Sequence, residues 1–456
     1  MKTRTRPSER KIVPGPHKMF FGGHLRELQH DQLGFYVHLR KEYGDIVRFR
    51  AVGPVFVYMF FHPDDIDHIL RRNQQNYQKG NALALFKSAL GEGLLTSEGD
   101  LWLRQRRLAQ PAFHRQRIAA LAPLMTETTA SMLERWQTFE QGELRFDVSQ
   151  EMTSLTFQIV ARALFSTNVA EEVDTVGRAF TVVLDQLNYH LSHVALPDRI
   201  PTPRNRRYLQ SLGVLDRLVY DIIQQRRRTQ EDKGDLLSMF LLAQDAETGE
   251  QMSDKQLRDE VMTMMLAGHE TTANTLTWIW YLLAQHPAIE QKLHAELASA
   301  LEGRAPTFAD LARLPYSKMI IDESLRLYPA APGLSRRAIA ADEIGGYAIA
   351  GGSEIAISQY VTHRHPDFWE RPDVFDPERF LPERSAQRPH FAYFPFGGGQ
   401  RLCIGNFFAL MEAQLLLATI AQRYRLRLVL EHPVVAEPLV TLRPRYGLRV
   451  TLEKRI

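Results

Sequence analysis

One unbroken helical pattern limits the fold of this chain more than any other feature. Ser253 and Gln256 form a capping-box pair, and the apolar periodicity that starts there runs to Gln285, where His286 and Pro287 end it. About 30 residues at 1.5 Å each reach on the order of 45 Å, enough to cross a whole domain. The middle of that helix, Ala267 to Thr272, is therefore expected to be deeply buried, and the polar side chains there need partners or a task.

Helix dominates elsewhere as well. From Leu101 to Leu242 the apolar spacing is mostly three and four, as in Leu121, Met125, Met132 and Trp136. Residues 30 to 72 instead mix a helical stretch, His30 to Tyr43, with alternating runs at Ile46 to Arg50 and Val55 to Phe61, which predict a small sheet. A helix at Tyr316 to Tyr328 stops at Pro329, and short alternating segments follow at Ala338 to Ala350 and Glu354 to Ile357. A long coil rich in Pro, Arg and aromatics, His363 to Gly399, then precedes a last helix from Ile404 to Arg423 and closing strands near Leu426 to Leu430 and Leu448 to Leu452. Coil of that length in a compact domain is functional or braced. The expected class is mainly α with a small β lobe.

Composition excludes several functions. With 56 Lys plus Arg against 53 Asp plus Glu, the chain lacks the cationic excess that neutralises a row of phosphates, so nucleic acid is not an expected partner. A single cysteine, Cys403, rules out an intramolecular disulfide and a zinc site made of several thiolates, and fits a reducing compartment. The basic stretch Met1 to Lys11 is followed by an apolar patch, Met19 to Phe21, too short for a signal segment. Leu276 to Ala284 is short of a membrane span, and Phe407 to Ala421 is interrupted by Glu412. A soluble, cytoplasmic protein with no membrane span is expected, residues 1–18 being a short basic extension.

Four local patterns carry chemistry. Cys403 lies in Phe396-Gly-Gly-Gly-Gln-Arg-Leu-Cys403-Ile-Gly405, a glycine-rich loop entering the last helix. A lone cysteine is more often a small buried hydrophobe, but a helix N-terminus favours a thiolate, and glycines let a flat ligand approach the backbone. One soft anionic ligand cannot hold zinc, yet it can be the axial ligand of a haem whose other bonds come from the porphyrin. In Ala267-Gly-His-Glu-Thr-Thr272 the acid and hydroxyl are either satisfied core polars or reactive groups. There Gly268 has no side chain to block a small molecule, and a Thr hydroxyl bonded one turn back can open the helix ladder. Glu323 and Arg326 share a helix face, where a surface ion pair is the usual outcome. Trp102 and Arg106, four apart, present an indole N–H and a fixed cation to one place, or else form part of a basic solvated face.

Taken together and in their order along the chain, the four patterns resemble the cytochrome P-450 family, with Phe396, Gly399, Arg401, Cys403 and Gly405 matching its cysteine signature. The resemblance implies one haem domain over 1–456, with haem b between the long helix and the last one. It implies Cys403 as the axial iron ligand, Thr271 and Glu270 as the groups that serve bound oxygen and relay protons, and Phe396 and Gly268 beside the cofactor. Trp102, Arg106, Arg337 and Arg401 would grip the haem propionates. Glu323, Arg326 and Arg379, the last in Asp376-Pro-Glu-Arg379-Phe380, would brace the long coil.

The activity implied is a monooxygenase that hydroxylates or epoxidises an apolar substrate with O2. No flavin or dinucleotide domain is evident, so electrons would come from a ferredoxin or flavodoxin with its NAD(P)H-dependent reductase. Five arginines between Leu101 and Ile118, with no acid among them, and Arg423, Arg425 and Arg427 match the face that docks such acidic partners. Ala89, Leu90, Ala267, Leu334, Val440 and Thr441 would line the substrate pocket. Bacterial fatty-acid hydroxylases share the Ala-Gly-His-Glu-Thr-Thr stretch, but the arginine with which they hold a carboxylate aligns with Pro54, while their tyrosine aligns with Tyr58. Ala89 stands where they carry a bulky aromatic, so a terpenoid, steroid or polyketide is expected, with a fatty-acid hydroxylase as the alternative. A peroxide-driven member without the acid and threonine, and a haem-based sensor, are the remaining rivals.

Overall fold

The computed structural model describes residues 12–17, 22–137, 145–166, 173–193, 196–229, 231–245 and 247–455. Most of the basic N-terminal extension and the Met19 to Phe21 patch lie outside them. The chain divides into two compact units, one formed by Met1–Ala84, Ala331–Val374 and Ala386–Cys403, the other by Leu85–Ala330, Phe375–Ser385 and Ile404–Ile456.

The first unit is built on a five-stranded sheet. Its strands are β1 (Ile46–Val52), β2 (Val55–Phe60), β3 (Tyr77–Lys79), β4 (Leu334–Ala338) and β5 (Glu354–Ile357), in the order β1-β2-β5-β4-β3. Only β2 and β5 run parallel, with Val57 opposite Glu354. The period of two divides the apolar residues cleanly. Val47, Phe49 and Met59 pack with Leu39 of helix α1 (Leu25–Tyr43) on one face, while Ile46, Phe60, Ile355 and Ile357 pack with Ile69, Leu70, Phe391 and Phe394 on the other. Helix α1 starts earlier than the sequence pattern, at Leu25, with a kink at Asp31. The short strands β3 and β4 were not legible in the sequence, because three to five residues carry too little alternation.

The second unit is helical. Helices α2 (Gly99–Ala109), α3 (Val148–Phe165), α4 (Asp254–Gln285), α5 (Pro315–Leu327) and α6 (Asn406–Arg423) frame the parts that matter here. The expected capping box is present: Gln256 N–H donates to Ser253 Oγ at 3.2 Å and Ser253 N–H to Gln256 Oε1 at 2.9 Å. The helix α4 that follows is 32 residues long and uninterrupted. Helix α3 lies against it so closely that a Cβ on Gly268 would stand 2.8 Å from Val160 Cγ2. Further along, Trp278 stacks on Tyr328 with ring centroids 4.0 Å apart and donates its indole N–H to Leu442 O at 2.9 Å. Strands β6 (Ala436–Pro438) and β7 (Leu442–Pro444) form a hairpin beside this helix.

Candidate functional site

In the first unit, Cys403 is exposed. Its N–H donates to Phe396 O at 3.0 Å and closes the glycine-rich loop. The loop is pressed onto the body of the unit. Gly399, at φ +66°, sits where a Cβ would fall 1.8 Å from Leu70 O, and Gln400 N–H donates to Gln74 Oε1 at 2.8 Å. Gly397 also has a positive φ and lies 3.6 Å, at its would-be Cβ, from Leu334 Cδ1. Glycine is needed at 399 both for the left-handed backbone and for this approach. The coil behind the loop is braced within the same unit: His363 Nε2 accepts from Phe394 N–H at 3.0 Å, Trp369 donates to Ala392 O at 3.2 Å, and Arg388 lies over the Trp369 ring at 3.9 Å.

Strand alternation corrects one expectation. Leu334, Arg336 and Ala338 share the face of β4 that meets the glycine loop, and buried Arg336 lines a small cavity together with Gly398, Gln400 and Arg401. Arg337, the expected propionate ligand, points to the other face. Its Nε donates to Gly352 O at 3.3 Å and lies 3.8 Å from Glu354 Oε1. The arginine beside the cysteine loop is therefore Arg336.

In the second unit, the buried middle of α4 breaks its own rule on one stripe. Ala267 is exposed and Gly268 and Thr271 are partly exposed, while Leu266, His269, Glu270 and Thr272 are buried. Spacings of one and four place these three on a single helix face, which makes them a wall open to a ligand. Thr271 Oγ1 donates to Ala267 O at 2.7 Å, the back-bond expected of it, but the helix ladder does not open. The bare α-carbon of Gly268 is explained by the approach of Val160. His269 turns into the core, where Nδ1–H donates to Met265 O at 2.6 Å and the ring meets Phe157 and Phe180 edge-on. Burial lowers its pKa, so the ring is neutral.

Glu270 is 8% exposed. Its Oε1 accepts from Thr441 Oγ1 at 2.8 Å, and Thr441 Oγ1 in turn accepts from Asn274 Nδ2 at 2.9 Å. Burial raises the Glu270 pKa, with smaller downward pulls from the Thr441 hydroxyl and Arg443 and an upward push from Asp185. Thr441 was expected as pocket lining; it is instead 4% exposed and spent on this chain of hydrogen bonds. Val440 beside it is partly exposed and donates its N–H to Asn188 Oδ1 at 3.0 Å. Ala89 and Leu90 are also corrected: both are fully buried, because the loop after them is tied down on α4, Glu92 N–H to Asp259 Oδ2 at 2.9 Å and Leu94 N–H to Glu260 Oε2 at 3.1 Å.

Glu323 and Arg326 do not form a surface pair. Both are fully buried, joined by two bonds of 2.7 and 2.8 Å, and Arg379 Nε stands 3.3 Å from Glu323 Oε1. The same carboxylate accepts Asp376 N–H at 2.9 Å. Trp102 and Arg106 lie together on α2, the indole buried and the guanidinium partly exposed. Several cations of the expected docking face are paired with acids: Arg104 reaches Glu250 at 3.2 Å, Arg107 pairs with Glu247 and with Asp245 at 3.3 Å, and Arg425 and Arg427 reach Glu453 at 3.2 and 2.8 Å.

The family model described as Cytochrome P450 matches residues 13–450. The chain belongs to the cytochrome P-450 family. It is 38% identical to cyclooctatin synthase of Streptomyces melanosporofaciens, over 99% of this chain and 96% of that protein. It is 37% identical to cyclooctat-9-en-7-ol 5-monooxygenase of the same organism, over 92% and 91%. Pentalenene oxygenase of Streptomyces avermitilis is 35% identical over 92% and 91%. The crystal structure of the cytochrome P-450DA heme domain superposes with a TM-score of 0.90 at 28% identity, covering 98% of each chain. A P-450 of this kind is an O2-dependent oxidoreductase, a monooxygenase with haem b as cofactor, served by redox partners and acting on an apolar substrate. Among the described residues, no helix is long and apolar enough to cross a membrane.

The donor set of the first unit fits a haem thiolate: a soft sulfur exposed on the glycine loop, with Arg336 and Arg401 lining one small cavity beside it as partners for carboxylates. When bound, the haem supplies dioxygen activation, favoured by a thiolate ligand. Glu270 holds a proton nearer to neutral pH than an exposed glutamate does, and its Oε2 is buried without a hydrogen-bond partner among the described residues. Thr271 offers a hydroxyl on the open stripe. Three residues of the two units escaped the sequence reading. Arg336 could have been found by counting in twos from Leu334, and Asn274 by counting one turn from Glu270. Glu412, fully buried on α6 near Thr272, reads in sequence only as an interruption of a greasy run.

Proposed function

We propose that the whole chain, 1–456, works as a single haem domain that hydroxylates or epoxidises a bulky terpenoid, with Cys403 as the axial iron ligand. Thr271 and Glu270 serve the oxygen and its protons, Trp102, Arg106, Arg336 and Arg401 hold the propionates, and Phe396 and Gly268 border the cofactor. Ala267, Leu334 and Val440, each with surface to offer, line the substrate side. The observation that carries this reading is the exposed sulfur of the chain's only cysteine on the glycine loop, two residues after Arg401. The terpenoid assignment is supported by the names of three similar Streptomyces proteins, cyclooctatin synthase, cyclooctat-9-en-7-ol 5-monooxygenase and pentalenene oxygenase. The electron donor is a ferredoxin or flavodoxin with its NAD(P)H-dependent reductase, and the setting is the cytoplasm.

Reduction of the purified protein under carbon monoxide tests the ligand. A far-shifted Soret band is expected from the wild type and is expected to vanish in Cys403→His; identical spectra for both would exclude Cys403 as ligand. A panel of diterpene and sesquiterpene hydrocarbons and alcohols, set beside long-chain fatty acids, tests the substrate. Terpenoids are expected to shift the ferric Soret band, and shifts confined to the acids would move the protein to the fatty-acid hydroxylases.

A further inference from the structure

We propose that Asn274 and Thr441 are positioning residues that fix where the Glu270 carboxyl points and bind its proton relay to the turn between β6 and β7. The inference rests on the proposed role of Glu270, and it adds two residues and a direction to that role.

The direction follows from counting protons. Asn274 Nδ2–H donates to Thr441 Oγ1 at 2.9 Å, so that oxygen is engaged as an acceptor. Its single proton is then free to go only outward, to Glu270 Oε1 at 2.8 Å. Asn274 lies one turn after Glu270 on α4, so both reach the same hydroxyl from one helix face. The turn that carries Thr441 is itself anchored. Leu439 N–H donates to Thr441 O at 3.1 Å, Val440 N–H to Asn188 Oδ1 at 3.0 Å, and Leu442 N–H to Ala330 O at 2.9 Å. One carboxyl oxygen of Glu270 is thus held by a fixed donor. The other, Oε2, is buried with no hydrogen-bond partner among the described residues, and it is the oxygen left to take up or release a proton.

Among the described residues, two charged groups act on this carboxyl. Arg443 on β7 favours its ionised form, and Asp185 on the helix Val173–Ser192 disfavours it. Arg443 is itself held at 3.2 Å by Glu437. His269, next in the chain, is neutral and bonded away into the core. Among the described residues, the Thr441 hydroxyl is therefore the direct hydrogen bond that steadies the Glu270 carboxylate. Because Val440 is partly exposed in the same turn, a substrate that presses on the turn acts on Glu270 through one side chain.

Infrared titration of the Glu270 carboxyl band, identified by its loss in Glu270→Gln, tests this without any turnover. Removing the hydroxyl in Thr441→Val takes away a bond to the charged form, so the titration midpoint is expected to rise by roughly one pH unit. Thr441→Ser is expected to restore it, and Asn274→Ala, which touches neither oxygen of the acid, is expected to raise it by less. A midpoint unchanged in both Thr441→Val and Asn274→Ala, or one that serine does not restore, overturns the proposal. The carbon monoxide spectrum is read on the same samples. An intact thiolate band with an unmoved midpoint sinks the positioning role alone, whereas a missing band sinks the haem reading independently.

Discussion

At the scale of single residues, a side chain's worth here depends on which oxygen or face it meets. Glu412 and Glu270 are both buried acids, but Glu270 has a hydroxyl donor at 2.8 Å and lies one residue from the open stripe of α4. Burial pushes the Glu412 carboxyl up to about 8 from an ordinary value of 4.5, against a smaller pull from the Thr272 hydroxyl. Between those two values the folded chain keeps a proton that the unfolded chain has released. Stability attributable to Glu412 is therefore complete below the lower value and falls as pH rises toward the upper one, by about 1.4 kcal/mol per unit. Glu412→Gln, which cannot ionise, is expected to flatten this part of the profile, measured as unfolding free energy between pH 5 and 8 in chemical denaturant. Parallel profiles for the two proteins would mean that Glu412 is already ionised. Arg336 and Arg337 make the same point about faces: adjacent in sequence, they lie on opposite sides of β4, one in a cavity with Arg401, the other at Gly352 and Glu354.

At the scale of elements, α4 and α5 differ in how their polar groups are satisfied. Helix α4 spends its polar side chains on back-bonds and on the β6–β7 turn, and leaves Ala267, Gly268 and Thr271 as its open wall. Helix α5 spends Glu323, already paired with Arg326, on the coil at Asp376 and Arg379, a segment with little regular structure to hold it. Burial already depresses the Arg379 pKa, and Glu323, ahead of Asp376, is the main anion that opposes this. Glu323→Gln leaves two buried guanidiniums facing a neutral amide, and a loss of about 3–5 kcal/mol is expected from the cost of an uncompensated buried charge. Urea denaturation measures it, and a loss below about 1 kcal/mol would show that the brace is ornamental.

At the scale of the whole molecule, the net charge of +3 conceals an uneven surface. The run from Leu101 to Ile118 looks purely cationic in sequence, yet Asp245, Glu247 and Glu250 fold back onto Arg104 and Arg107. Arg115 and Arg117 stay exposed, with Arg115 lying over the Phe407 ring at 5.4 Å. Reversing these two to glutamate is expected to slow reduction by an acidic ferredoxin about tenfold at low salt and to remove most of its salt dependence. A reduction rate that is unaffected at every ionic strength would place the docking face elsewhere. The sequence by itself determined the family, the long capped helix and its ends, the glycine loop around the only cysteine, and the mainly helical class, because these depend on spacing within a few turns of chain. Only the tertiary structure decided that Arg336 rather than Arg337 meets the loop, that Ala89 and Leu90 are sealed inside, that Glu323 and Arg326 are buried, and that Thr441 holds Glu270. Those outcomes depend on which distant segment occupies the space beside a residue, and burial and hydrogen-bond geometry are settled by packing between parts of the chain that can lie more than a hundred residues apart.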